Sequence, residues 1–188
     1  TKTNISSNWK YFDLKEVNIS GEKTIISRSG FSNELGWEIY FRPENNIEKL
    51  GDLILEEGSK MGMIITATPV FRCRRIEAGL LSAGQDFTNK TNPYSVGLGR
   101  FVDIDKENFI GKEALQKANK KCLTWGIRVD GGTAIRGKSL KINTKVVGEV
   151  TSSTWSPYQV CGVGIVHMQD SNYGPGTLLD VDCTNGKI

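Results

Sequence analysis

The sequence predicts an α+β fold, with a mixed helix-and-strand part over residues 1–120 and a small all-β unit over residues 121–188. Three observations lead there. The segments that read as capped helices all lie before about residue 120. After Lys121 the chain turns to short apolar runs separated by Gly, Ser, Asn and Pro, the spacing of a small barrel or sandwich. A length of 188 residues suits one good-sized domain, or a domain and a half.

The elements follow in order. "TIISRS" (residues 24–29) and "WEIYF" (residues 37–41) read as strands joined by the Gly30–Gly36 stretch. Asn46 is placed to cap a helix over residues 47–61, with Ile47, Leu50, Ile54 and Met61 on one stripe. "MIITA" is a short strand or a connector. Thr68-Pro69 then opens a second helix, "VFRCRRIEAGLL", that stops near Gly84. A turn-rich loop follows, and a third helix starts around "NFIGKEAL" with Asn108 as its candidate cap. The all-β part comprises "LTWGIRVD", "KVVGEVTSS", "QVCGVGIVHM" and "TLLDVDC". Asn185-Gly186 is a strong hairpin signal, yet only Lys187 and Ile188 follow it. With no Met at position 1 either, the expectation is a fragment that lacks its last strand.

Composition narrows the function classes. Hydrophobic content of 38% and charged content of 24% are those of an ordinary globular chain. A net charge of +3 carries no nucleic-acid footprint. No apolar run approaches the roughly 20 residues of a membrane span, and the first residues are polar, so the expected compartment is the cytoplasm. The four cysteines are far apart with no C-x-x-C, so neither metal site nor redox dithiol is expected. His167 reads as a strand residue. "VGLGR" and "CGVGIV" contain G-x-G, but neither forms the longer dinucleotide pattern opening a helix. "RCRR" admits a salt-bridged helix face, an anionic ligand or nucleic acid. The three-residue spacing of Arg74 and Glu77 favours the first.

One strand carries chemistry. In "WEIYF" a period of two puts Trp37, Ile39 and Phe41 on one face and Glu38 with Tyr40 on the other. A carboxylate and a phenol thus project together. By periodicity alone, a solvated carboxylate is the plainer reading of Glu38.

Four blocks in order shift that balance: "ISRSGFSNELGWEIYF", "PVFRCRRIEAGLLSAGQDFTNKTNPYSVGLGRFV", "NFIGKEAL" and "GEVTSSTWSP". Together they resemble the aminomethyltransferase family, the glycine cleavage T-protein and its folate-dependent relatives, from about Phe12 to the end. "RRIEAGLLSAGQDF" and "NPYSVGLGRFVDID" are most similar to the dimethylsulfoniopropionate demethylase branch. The runners-up are the T-protein proper and the folate domains of sarcosine and dimethylglycine dehydrogenases.

The resemblance implies the latter part of the T-protein folate-binding fold (1–120) followed by a small C-terminal β-barrel (121–188). It implies tetrahydrofolate as cofactor, with Glu38 accepting from the pterin ring. A ring N–H and an amino group side by side suit a carboxylate that accepts both. Tyr40 is placed to pack on the ring or the substrate, Glu34 is a lesser candidate, and Arg72 is a further ligand candidate. The T-protein has Arg six residues before the Glu of its "RIE" block. Here that place is Phe71, and Arg72 stands one residue away, a turn of about 100° on a helix. Arg75 is expected to brace Glu77 or nearby backbone. The family's catalytic Asp would lie upstream of Thr1. The activity implied is one-carbon transfer to tetrahydrofolate from a small methylated donor, with a lipoyl carrier protein as partner only in the T-protein alternative. A non-catalytic folate-binding module is the other class. The iron–sulfur-assembly relative is disfavoured because its "K-G-C-Y-x-G-Q"-type motif is absent.

Overall fold

The computed structural model describes residues 9–184. The expected Asn185-Gly186 turn lies outside the described residues. The chain forms two compact units, residues 1–74 and 75–188, each described in turn.

The first unit holds an antiparallel sheet of β1 (Leu14–Ile19), β2 (Glu22–Ser27) and β3 (Glu38–Tyr40), in the order β1-β2-β3. Leu14, Ser27 and Glu38 stand opposite one another across the sheet, as do Glu16, Ile25 and Tyr40. Directly opposed residues share a face, so Glu38 and Tyr40 project on the same side as Ser27. The other face carries Ile26 and Thr24, both buried, together with Ile39. Trp37 extends that side and meets Trp9 edge-on, with ring centroids 5.2 Å apart.

Helix α1 (Ile47–Lys60) starts where expected: Asn46 Oδ1 accepts from the Lys49 N–H at 3.0 Å. Lys49 Nζ donates to Ser20 O at 3.1 Å, which ties the helix start to the β1–β2 turn. Its apolar stripe is shorter than expected. Leu50 is fully buried, but Ile47 and Met61 are exposed, and Met61 lies beyond the last helical residue. "MIITA" forms no strand and is a connector.

Helix α2 (Thr68–Glu77) ends well before Gly84. The reason is Gly79, which adopts φ +70° just past the end. The Leu80 N–H bonds Arg75 O at 2.8 Å and the Gly79 N–H bonds Ile76 O at 3.0 Å, the paired closure of a Schellman cap. Helix α3 (Lys112–Lys117) is preceded by Gly111 at φ +90°, with no side-chain cap. The expected cap, Asn108, therefore stands outside the helix start.

The second unit is built on a four-stranded antiparallel sheet in the order β4-β8-β7-β6, from β4 (Thr124–Val129), β6 (Ser139–Ile142), β7 (Lys145–Ser156) and β8 (Cys161–Met168). A two-stranded sheet pairs β5 (Thr133–Ala134) with β9 (Cys183–Thr184). The change of composition near residue 120 falls within this unit, between α3 and β4. Of "TLLDVDC", only Cys183 enters a strand, and Asp180 makes a lone bridge to Lys141. β8 is buried on both faces. Val166 and Met168 join a core with Val129, Leu140, Val147 and Val150, while Cys161, Val163 and Ile165 pack with Ile76. Such a strand reads as a continuous apolar run rather than an alternation. Its "CGVGIV" glycines have a packing role: a Cβ at Gly162 would stand 2.1 Å from Gly132 O.

Candidate functional site

Among the described residues β3 is an edge strand, and its two polar side chains have one neighbouring strand, β2. Glu38 and Tyr40 are both exposed. The Tyr40 hydroxyl donates to Glu38 Oε2 at 3.0 Å. The Ser29 hydroxyl, from the residues just after β2, donates to the same oxygen. Ser29 Oγ also lies 2.9 Å from Ser27 Oγ. Ser27 is only 5% exposed and stands directly opposite Glu38 in the ladder. The result is a row of four side chains, Ser27, Ser29, Glu38 and Tyr40, with two donors on one carboxylate oxygen. Among the described residues Glu38 Oε1 has no hydrogen-bond partner.

The other two candidates are placed differently. Glu34 lies in the loop before β3, where its carboxylate pairs with Arg74. Arg72 is exposed on α2 and, among the described residues, shares no hydrogen bond with Glu34, Glu38 or Tyr40. Phe71, at the position singled out in the sequence, is half exposed.

Arg75 does brace backbone: Nη1 donates to Leu80 O at 3.0 Å. It also meets a partner that the sequence reading missed, the Asp86 carboxylate, at 2.6 Å. Arg75 Nη2 reaches Ser152 Oγ at 2.8 Å and Gln85 Oε1 at 3.1 Å. Glu77 accepts from the Ser156 hydroxyl. Burial pushes the Asp86 carboxyl up. Hydrogen bonds from Thr151, Ser152, the Ser82 N–H and Arg75 outweigh that and hold it below the usual aspartate range. This network joins the end of α2 to β7 and is architectural.

Two clefts in the second unit, of about 620 and 550 Å3, contain none of the four sequence-predicted residues. The larger is lined in part by Glu77, Arg100, Trp125 and Arg128. Among the described residues no group of three or more His, Cys, Asp or Glu side chains is placed to hold a metal ion. No helix there is long and apolar enough to cross a membrane. His167 sits in β8, its Nδ1 3.1 Å from Thr124 Oγ1, as a strand residue tied to its neighbour.

Residues 1–106 match the family described as GCV_T, GCVT N-terminal domain. The chain belongs to this family. Among GCV_T relatives, an aminomethyltransferase of Halothermothrix orenii is 31% identical over 183 residues, covering 95% of this chain and 51% of the relative. A trimethylamine-oxide aldolase of Ruegeria pomeroyi is 30% identical over 171 residues, covering 88% of this chain and 22% of the relative. The crystal structure of glycine cleavage system aminomethyltransferase T from Bartonella henselae superposes with a TM-score of 0.67 at 28% identity, over 77% of this chain and 41% of that one. The chain thus spans about half the length of the aminomethyltransferases it matches. Its mixture of helices and sheets is similar to the T-protein architecture, as expected from the four sequence blocks.

Proposed function

We propose that this GCV_T chain is the folate-holding part of a tetrahydrofolate-dependent one-carbon transferase. The observation that carries the reading is the Glu38 carboxylate. It stands on a strand, with Oε2 fixed by two hydroxyls and Oε1 without a partner among the described residues. This acceptor set fits a heterocycle that offers N–H donors, as the pterin edge does. When bound, tetrahydrofolate supplies N5 as acceptor of the one-carbon unit. The residues of this chain bind and orient. Glu38 accepts the ring donors, and Tyr40, 47% exposed, offers a ring face beside it. Glu34 and Arg72 stay in the proposed ligand set as outlying members. In the same reading residues 121–188 form the family's C-terminal barrel.

The donor we assign is a small free methylated molecule such as dimethylsulfoniopropionate, because Phe71 stands where the T-protein carries Arg. A sulfonium methyl is already activated, so the demand on the protein is alignment more than activation. A second reading, aminomethyl transfer from a lipoyl carrier protein, is favoured by the similarity to the H. orenii aminomethyltransferase and to the glycine cleavage system protein of B. henselae. The relatives are not confined to aminomethyltransferases, as the trimethylamine-oxide aldolase indicates.

The test is an assay of the complete protein with tetrahydrofolate and a panel of dimethylsulfoniopropionate, dimethylglycine, sarcosine and aminomethyl-lipoyl protein. Methyl-tetrahydrofolate formed from a free donor is the expected result. Turnover with the lipoyl protein alone would replace the first donor by the second. Folate binding without turnover of any donor would reduce the chain to a binding module.

A further inference from the structure

An exposed glutamate on an edge strand is a poor ligand unless something holds it. Its side chain samples many rotamers, and ordering it costs conformational entropy. Around Glu38 two hydroxyls are available for that task, and they are not equivalent. Tyr40 is on the same exposed strand, with its ring 47% open to solvent. Ser29 is short, has one side-chain torsion, and lies 2.9 Å from Ser27 Oγ. Ser27 is buried and opposes Glu38 across the sheet. The single Ser29 proton goes to the carboxylate, so the Ser27 hydroxyl supplies the proton between the two serines. The buried end of the row is therefore the anchor.

We propose that Ser29, itself anchored by Ser27, is a positioning residue that holds the Glu38 carboxylate with Oε2 occupied and Oε1 presented to the ligand. The inference rests on the folate reading and adds to it a residue that touches Glu38 and need not touch the ligand. Because both hydroxyls take the same oxygen, the carboxylate offers its remaining lone pairs from the other one. An N–H donor of the ligand is then met by an Oε1 acceptor already aimed, which is the benefit of pre-organisation.

The experiment is calorimetric titration of 5-formyl-tetrahydrofolate, a stable folate, into the complete protein and its variants Ser29→Ala, Ser29→Thr, Glu38→Gln and the double variant Ser29→Ala/Glu38→Gln. The expected result is a loss of about five- to ten-fold for Ser29→Ala. Ser29→Thr restores the hydroxyl and the affinity. In the Glu38→Gln background Ser29→Ala costs nothing further, the mark of a residue acting through Glu38. If Glu38→Gln loses affinity while Ser29→Ala binds as wild type, the positioning role is overturned and the folate reading stands. Equal losses from Ser29→Ala in both backgrounds would also overturn it. Wild-type affinity in Glu38→Gln would overturn the folate reading, and the Ser29 role would fall with it.

Discussion

The Arg75 guanidinium donates to the Asp86 carboxylate at 2.6 Å, with both side chains almost sealed from water. Ser152, Thr151 and the Ser82 N–H complete the shell. Removing one partner of such a pair strands the other as a buried charge. Asp86→Ala is therefore expected to destabilise the protein by about 3–5 kcal/mol. Replacing both members with apolar residues of similar volume is expected to cost clearly less than the sum of the single changes. Denaturant unfolding of the three variants measures both.

Acid should act on the same carboxyl. Its native value lies below the ordinary 3.8, so its ionised form contributes stability in full above 3.8. That contribution is lost as pH falls from 3.8 through the lower native value, because protons then bind the unfolded state preferentially. In Asp86→Asn this component of the acid-induced loss is expected to be missing. Unfolding free energy followed on acidification, wild type against variant, is the check. Parallel curves would assign the acid sensitivity to other groups.

Arg75–Asp86 also marks where sequence reading stops. Asp86 lies in "GQDFTNK", which signals a turn and nothing more, and no periodicity links it to a helix residue eleven positions earlier. The pairing depends on where the chain folds back after α2. The apolar run through Leu81 suggests a longer helix, whereas the chain turns back at Gly79. What was legible obeyed a short period. "WEIYF" gave the common face of Glu38 and Tyr40, Asn46 gave its cap, and the apolar runs of β4, β7 and β8 were found.

β1 is not legible in the sequence because its apolar residues, Leu14, Val17 and Ile19, do not keep one alternation along the strand, and most of its side chains are exposed. Its signal was the Ser20-Gly21 dipeptide, whose residues both take positive φ in the two-residue turn to β2. At the candidate site, the shared face of Glu38 and Tyr40 is readable from the strand period. The Ser29 contact with Glu38 is not, since it depends on β2 pairing with β3.

The helix stop can be tested by itself. Gly79→Ala meets no steric neighbour, so its cost is conformational alone, from φ +70°. A loss of about 1–2 kcal/mol is expected from thermal or denaturant unfolding. Gly162→Ala meets the Gly132 backbone instead, and about 1–3 kcal/mol of overpacking is expected there.

Hydrogen exchange should separate two apolar runs of the second unit. β8 is paired on both sides and buried, so the amides of Val163, Ile165 and Val166 are expected among the slowest. Leu178 is 90% exposed and outside any strand, and its amide is expected to exchange quickly. Equal protection in both segments would mean that residues 177–180 are covered by structure beyond that described.

The central claim is that Glu38 holds the folate. Exchanging it for Gln keeps the shape and replaces an acceptor oxygen by a donor NH2. Calorimetric titration of tetrahydrofolate into the complete protein, wild type against Glu38→Gln, is the most direct measurement. The account predicts a loss of about 1.5–3 kcal/mol in binding free energy, the range for a hydrogen bond to a charged group. Equal affinity in the two proteins would contradict it and remove Glu38 from the site.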